Sequence, residues 1–314
     1  MDVFFVTLEQ MLLLFFYIAI GFAFRKSGIV KENLAAVLAT LETFVFLPML
    51  CFNTFSTNMT VENVVNKWPI IVVSSVLLVA VYAVSIPTAR LFAKDRAGRA
   101  IFIYSFVIPN VGYIGYPLVE AVFGSEALFD FMMFCLPLNI FIYTVGINML
   151  TGRTKLSLKT IFNPTIISII IGSVVGLTGL KMPSLITGIT SAGAACMAPA
   201  AMILTGYVLA RSPLKKMLAN PKMYFAALMR LIVFPAVFGA LVWLFCFLTG
   251  IGTSHVFLAV TAMCLPMGLN SVVFPEAAGL DGTLGAQSSF ISNVLGIITI
   301  PLVFALISAL GITP

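Results

Sequence analysis

The chain has 314 residues, of which 61% are hydrophobic and only 9% charged. Soluble domains carry about 25% charged residues, so water is not the solvent for most of this surface. The net charge of +6 is scattered over short segments rather than gathered on one face, which argues against a nucleic-acid partner. With a single histidine there is no HExxH zinc site, and no GxGD aspartyl site, serine–histidine pair or Walker sequence occurs. The chain therefore reads as a non-enzyme that needs no metal or cofactor and is not driven directly by ATP.

Segments free of Asp, Glu, Lys and Arg cover Trp68–Ala89, Ala100–Val119, Phe131–Gly152, Thr160–Leu180, Met182–Ala210, Leu231–Ser254 and Val256–Pro275. Each matches the ~20 residues that a helix needs to cross ~30 Å of hydrocarbon. Alternating segments of ~10 residues, the mark of a transmembrane barrel, are absent. Allowing one or two charges per span predicts ten helices in chain order. Spans 1 to 5 are Val3–Phe24, Asn33–Phe55, Trp68–Arg90, Ala100–Phe123 and Ala127–Leu150. Spans 6 to 10 are Thr160–Leu180, Pro183–Ala210, Lys222–Leu248, Thr253–Gly279 and Leu284–Leu310. Span 1 is read as a retained helix rather than a cleaved leader. Asp2 and Glu9 precede its apolar core, Arg25 and Lys26 follow it, and no A-x-A-like site appears.

Basic residues sort by loop. Arg25, Lys26 and Lys31 follow span 1, and Arg90, Lys94, Arg96 and Arg99 follow span 3. Arg153, Lys155 and Lys159 follow span 5, and Arg211, Lys215, Lys216 and Lys222 follow span 7. The alternate loops carry only Lys67 and Lys181. The positive-inside rule then places both termini outside the cytoplasm in a multi-pass protein of the cell membrane.

Ten spans divide into two sets of five, residues 1–151 and 152–314. Pro48 and Pro199 fall in the second helix of each set, Pro109 and Pro266 in the fourth, and Asn139 and Asn293 in the fifth. Because five is odd, a second copy enters the membrane from the opposite side, giving two inverted repeats around a midplane site. Span 4 carries Pro109, Asn110, Gly112, Gly115 and Pro117; span 9 carries Pro266, Gly268, Asn270, Ser271 and Pro275. Proline removes a backbone donor and glycine relaxes the chain, so both helices should break near the middle. Irregular backbone at that depth persists where it is buried in protein or lines an aqueous cavity. Two half-helix N-termini, each with about half a positive charge, would converge there and favour an anion. Asn139 and Tyr143 on span 5, and Asn293 on span 10, add polar groups that either line the site or pack small residues between helices.

At PNVGYIGYPLVEAVFG the chain resembles the auxin efflux carrier family, whose fourth helix carries Asn-x-Gly-x-x-Gly-x-Pro, here Asn110, Gly112, Gly115 and Pro117. The resemblance extends over the ten-span layout. It implies a scaffold of spans 1, 2, 6 and 7 that also forms a homodimer, and a moving transport domain of spans 3–5 and 8–10. The substrate would sit at the proline-marked crossover of spans 4 and 9. About ten residues separate spans 5 and 6, as in microbial members linked to malate, malonate and similar acids.

The expected function is elevator-type secondary transport of small mono- or dicarboxylates. The expected substrate site comprises Pro109, Asn110, Gly112, Asn139, Tyr143, Pro266, Gly268, Asn270, Ser271 and Asn293. A sodium-coupled symporter of the bile-acid type is the alternative. Glu120 and Glu276 lie roughly 15 Å beyond the breaks, at opposite interfaces or in a coupling role. Arg230 either snorkels to the surface, pairs with Glu276 or touches substrate, and Glu42 in span 2 reaches a similar depth. His255 reads as a surface residue, and the five cysteines as buried thiols.

Overall fold

The computed structural model describes residues 3–30, 33–152, 163–211, 213, 215 and 218–314, with the side chains of Glu276 and Ala277 outside the description. Asp2, Lys31, Lys216 and the loop bearing Arg153, Lys155 and Lys159 also lie outside it. Among the described residues the secondary structure is helical except for one isolated bridge. Among the described residues, seven helices are long and apolar enough to cross a membrane: Val3–Ser27, Leu34–Asn58, Pro69–Phe92, Val111–Thr151, Ser184–Leu209, Pro221–Thr249 and Thr283–Ala309.

The predicted spans and these helices differ in number for local reasons. Predicted spans 4 and 5 share the 41-residue run Val111–Thr151. At 1.5 Å per residue it would reach about 60 Å, twice the hydrocarbon thickness, if it were straight. It is not straight, because Gly124 holds φ 87° and ψ −180°, a conformation open essentially to glycine alone. Span 6 is the shorter helix Pro164–Thr178, and span 9 is divided into Ser254–Cys264 and Asn270–Ala277.

Proline also shapes helices that stay continuous. Single π-helical turns occupy Glu42–Phe46, Val111–Gly115 and Met229–Val233, just ahead of Pro48, Pro117 and Pro235. A proline ring clashes with the carbonyl four residues before it, and a wider turn moves that carbonyl aside. The widened turn of span 2 places Glu42 on the inner wall, a point that matters below.

Span 7 packs against spans 1 and 2, span 6 packs against span 2, and span 1 also packs against span 10. Gly21 of span 1 lies against the Ile203 carbonyl of span 7, and Gly206 of span 7 against the Ile18 carbonyl of span 1. A Cβ at either glycine would collide with backbone, so small residues set this approach. Spans 3, 4, 5, 8, 9 and 10 gather around the fully buried rings of Phe102, Phe106, Phe131, Phe257 and Phe304. The outer faces are apolar: Phe247 and Leu248 are 72% and 74% exposed.

Polar contacts close the ends. The short helix Val61–Lys67 is capped by Thr60, whose hydroxyl accepts from the Asn63 amide at 3.1 Å. Its Lys67 forms ion pairs with Asp130 at 2.8 Å and Glu126 at 3.3 Å. Before span 10, Asp281 accepts hydrogen bonds from the Thr283 hydroxyl and amide, which hold its carboxyl below the usual carboxylate range.

Candidate functional site

Spans 4 and 9 break at their prolines. The residue before a proline is pushed out of helical geometry, and here Ile108 has φ −102° and ψ 105°, while Leu265 has φ −69° and ψ 150°. Helix resumes at Val111 and Asn270. The two extended breaks cross and pair as an antiparallel bridge between Pro109 and Met267. The Asn110 amide donates to the Pro266 carbonyl at 2.9 Å, and the Gly268 amide donates to the Ile108 carbonyl at 3.2 Å. A Cβ on Gly268 would stand 3.2 Å from the Ile108 oxygen, so glycine permits the close pairing. Span 10 satisfies the outer edge: the Met267 amide donates to Ser292 Oγ at 3.1 Å, and Ser289 Oγ donates to the Met267 carbonyl at 3.4 Å.

Four helix ends meet at this crossing. The first halves, Arg96–Val107 and Ser254–Cys264, bring their negative C-terminal ends. Between those ends lies Arg230, fully buried, donating to the Phe106 carbonyl at 3.1 Å and the Ala262 carbonyl at 2.8 Å. Its Nη1 also lies 3.4 Å from Met263 Sδ. Two half-charges of one sign thus face one cation of the other. The second halves bring positive N-terminal ends; in span 9 the Ser271 and Val272 amides donate to the Gly268 and Leu269 carbonyls just ahead of the helix.

Those N-terminal ends open on a cavity of about 230 Å³ between the crossing and span 2. Pro109, Asn110, Gly112, Asn139, Tyr143, Gly268 and Asn270 line it, together with Glu42, Thr43 and Tyr113. The Asn110 side chain is buried, makes no capping bond, and leaves its amide nitrogen without an acceptor. Asn139 Nδ2 donates to the Tyr116 hydroxyl at 3.2 Å, which orients its amide along the wall. No Lys, Arg or His occurs among the lining residues.

A family model described as membrane transport protein matches this chain twice, over residues 6–157 and 153–304. The chain belongs to the auxin efflux carrier family. Among curated proteins it is similar to the uncharacterized transporter MJ1031 of Methanocaldococcus jannaschii, at 25% identity over 193 residues. That match covers 59% of this chain and 56% of the relative, so the chain spans little more than half the length of the relative it matches. Family membership and the seven apolar helices among the described residues together make it a multi-pass membrane protein.

Within this auxin efflux carrier family chain, three of the ten predicted site residues lie outside the cavity lining. Pro266 lends its carbonyl to the bridge, Ser271 Oγ donates to the Gly268 carbonyl at 2.8 Å, and Asn293 Nδ2 donates to the Ser289 carbonyl at 2.7 Å. Glu120 is exposed in a separate cavity of about 310 Å³ beside Gln10 and Pro117. The Glu276 side chain, and with it any pairing with Arg230, lies outside the described residues.

Three expectations are corrected. Arg230 does not snorkel to the surface: it is fully buried, and two backbone carbonyls inside the protein accept from its terminal nitrogens. His255 is not a surface residue: it is 8% exposed, with Nδ1 3.0 Å from the Gly252 carbonyl oxygen. Cys196 is exposed, unlike the other four cysteines, because it lies on the outer face of span 7. The residue that sequence reasoning undervalued is Glu42. A lone acid in mid-span is by itself a functional signal.

Proposed function

We propose that this carrier moves small organic anions, mono- or dicarboxylates, by secondary active transport, binding them at the crossing of spans 4 and 9. The observation that carries this reading is the antiparallel pairing of the two proline breaks, Asn110 to Pro266 and Gly268 to Ile108. Equivalent segments that pair head to tail are expected of two repeats with opposite orientation in the membrane. The double family match supports the same division into residues 1–151 and 152–314. In this reading ten spans cross the cell membrane with both termini outside the cytoplasm. Spans 1, 2, 6 and 7 form a fixed, dimerising scaffold, and spans 3–5 and 8–10 move past it as an elevator.

The chemistry favours an anion without a lining arginine. Two helix N-termini contribute about 0.3–1 kcal/mol each, and up to ~2 when partly buried. Hydrogen bonds from Asn110, Asn270 and backbone amides contribute about 1.5–3 kcal/mol each to a charged ligand. The sum reaches the roughly 4–8 kcal/mol of millimolar to micromolar binding. Arg230 offsets the negative C-terminal ends of the first half-helices, which would otherwise weaken the pull of the positive ends on the ligand.

Melting curves of the purified protein with acetate, lactate, malonate, malate and succinate test this reading. At least one anion should raise the melting temperature in a saturable way, and Asn110→Ala should weaken that response. No response to any of the five would overturn the reading.

A further inference from the structure

The cavity contains two buried polar groups without partners, one on each wall. Glu42 is 1% exposed, and neither carboxyl oxygen receives a hydrogen bond. Opposite, the Asn110 amide nitrogen donates to nothing. A buried ionised carboxylate normally recruits a cation or several donors, because desolvation otherwise disfavours it. The described cavity lining offers no cation.

Glu42 also occupies a built position. It is the first residue of the π-helical turn that precedes Pro48, and its backbone carbonyl accepts from the Leu47 amide. The widened turn fixes the side chain toward the crossing rather than toward lipid.

The titratable groups around Glu42 are few. Tyr113 and Tyr143 share the cavity. On its own helix Cys51 is a buried thiol. Span 7, packed behind it, carries the exposed Cys196 and Tyr207, whose hydroxyl accepts from Arg25 at 3.1 Å. Span 6, which also touches this turn, has no titratable side chain in Pro164–Thr178.

A ligand that fits both walls must accept from Asn110 and make a favourable contact with Glu42. A carboxylate offers only acceptor lone pairs. An ionised Glu42 would repel it, whereas a protonated Glu42 presents an O–H donor to it. Building on the organic-anion reading above, we infer that Glu42 is protonated when the cavity is occupied and donates its O–H to the ligand carboxylate, so that anion binding takes up one proton. The proton stays on a Glu42 carboxyl oxygen while the ligand is bound and returns to water when the ligand leaves. No other bond forms or breaks.

The test uses calorimetric titration of the full chain with whichever of the five anions binds tightest. Runs at several pH values, in buffers of different ionisation enthalpy, read the protons taken up. Between about pH 6.5 and 9.5, above the ligands' own ionisations, uptake should approach one proton per anion at the alkaline end. Over the same range Kd should rise, approaching tenfold per pH unit. Glu42→Gln keeps the size of the side chain but cannot titrate, and should flatten this slope to less than about twofold per unit. Anion binding without proton uptake overturns the inference and leaves the organic-anion reading standing. A Glu42→Gln protein with the wild-type slope also overturns it. Failure of all five anions to bind overturns the organic-anion reading itself. The proton count needs only wild-type protein, so it decides the matter even where the variant does not fold.

Discussion

Arg230 and Glu42 are buried to the same degree, at 0% and 1% exposure, on opposite sides of the same crossing. Their surroundings differ in one respect. The Arg230 guanidinium reaches two backbone carbonyls, one from each broken helix, and a methionine sulfur. Both Glu42 oxygens reach nothing. A buried charge whose two terminal nitrogens are bonded within the protein, with only its Nε left unpartnered, holds structure together. A buried acid whose bonds are unmade, beside an open cavity, is arranged for something that arrives from outside. The contrast separates the half of the crossing that fixes the fold from the half that meets a ligand.

The largest effect should come from the structural half. Arg230→Leu leaves the carbonyls of Phe106 and Ala262 unbonded and removes the charge that opposes two helix C-termini. The expected loss is about 3–5 kcal/mol, a fall of roughly 10 °C in melting temperature. Arg230→Lys should lie between, since an ammonium keeps the charge without the planar fork. Glu42→Leu should behave in the opposite way. Replacing an unpaired buried acid by an apolar side chain is neutral or stabilising, so the ligand-free protein should melt at or above the wild-type temperature. Equal losses at both positions would erase the distinction.

Asn110 belongs to the ligand half, although its backbone amide helps make the bridge. Asn110→Ala keeps that amide and should leave folding yield nearly unchanged, because Pro109 and Pro266 enforce the breaks. Carboxylate binding should weaken by about 1.5–3 kcal/mol, read as a ten- to 150-fold rise in Kd in the same titrations. Asn110→Asp should weaken it further by adding a negative charge beside an anionic ligand. An Asp variant that binds as well as wild type would move the site elsewhere.

Much of this was legible in sequence, and the remainder was hidden for identifiable reasons. Charge-free runs located the helices, because hydrocarbon excludes charge over a fixed length. Pro109 and Pro266 located both breaks, because proline acts on its immediate neighbours. The pairing of the breaks could not be read, since backbone amides and carbonyls leave no mark in a sequence. The acceptors of Arg230 were hidden for the same reason, and the expectation of a carboxylate or a water surface overlooked carbonyls at helix ends. Lys67 and Asp130 meet across a fold-level distance that composition does not encode. Glu42 was visible as a mid-span acid, but its direction depends on the π-helical turn that widens span 2 ahead of Pro48.

The finest division concerns Asn139 and Asn293, the two asparagines that the sequence pattern sets in parallel. Their matching positions suggested matching roles, yet Asn139 lines the cavity and Asn293 does not. Asn293 is 3% exposed and spends its amide on the Ser289 carbonyl at 2.7 Å, one helical turn earlier on span 10. Ser289 in turn supports the Met267 end of the bridge. Asn139 donates to a tyrosine hydroxyl and keeps the rest of its amide beside the cavity. Asn139→Ala should therefore weaken carboxylate binding by the worth of one ordinary hydrogen bond, about 0.5–1.5 kcal/mol, a two- to tenfold rise in Kd. Asn293→Ala should cost a similar amount in folding stability while changing Kd by less than about twofold. Measuring both melting temperature and Kd for the pair separates the two outcomes. Equal rises in Kd would mean that the repeats contribute symmetrically to the ligand. A rise for Asn139 alone would mean that span 2, with Glu42 on its wall, selects which repeat faces the substrate.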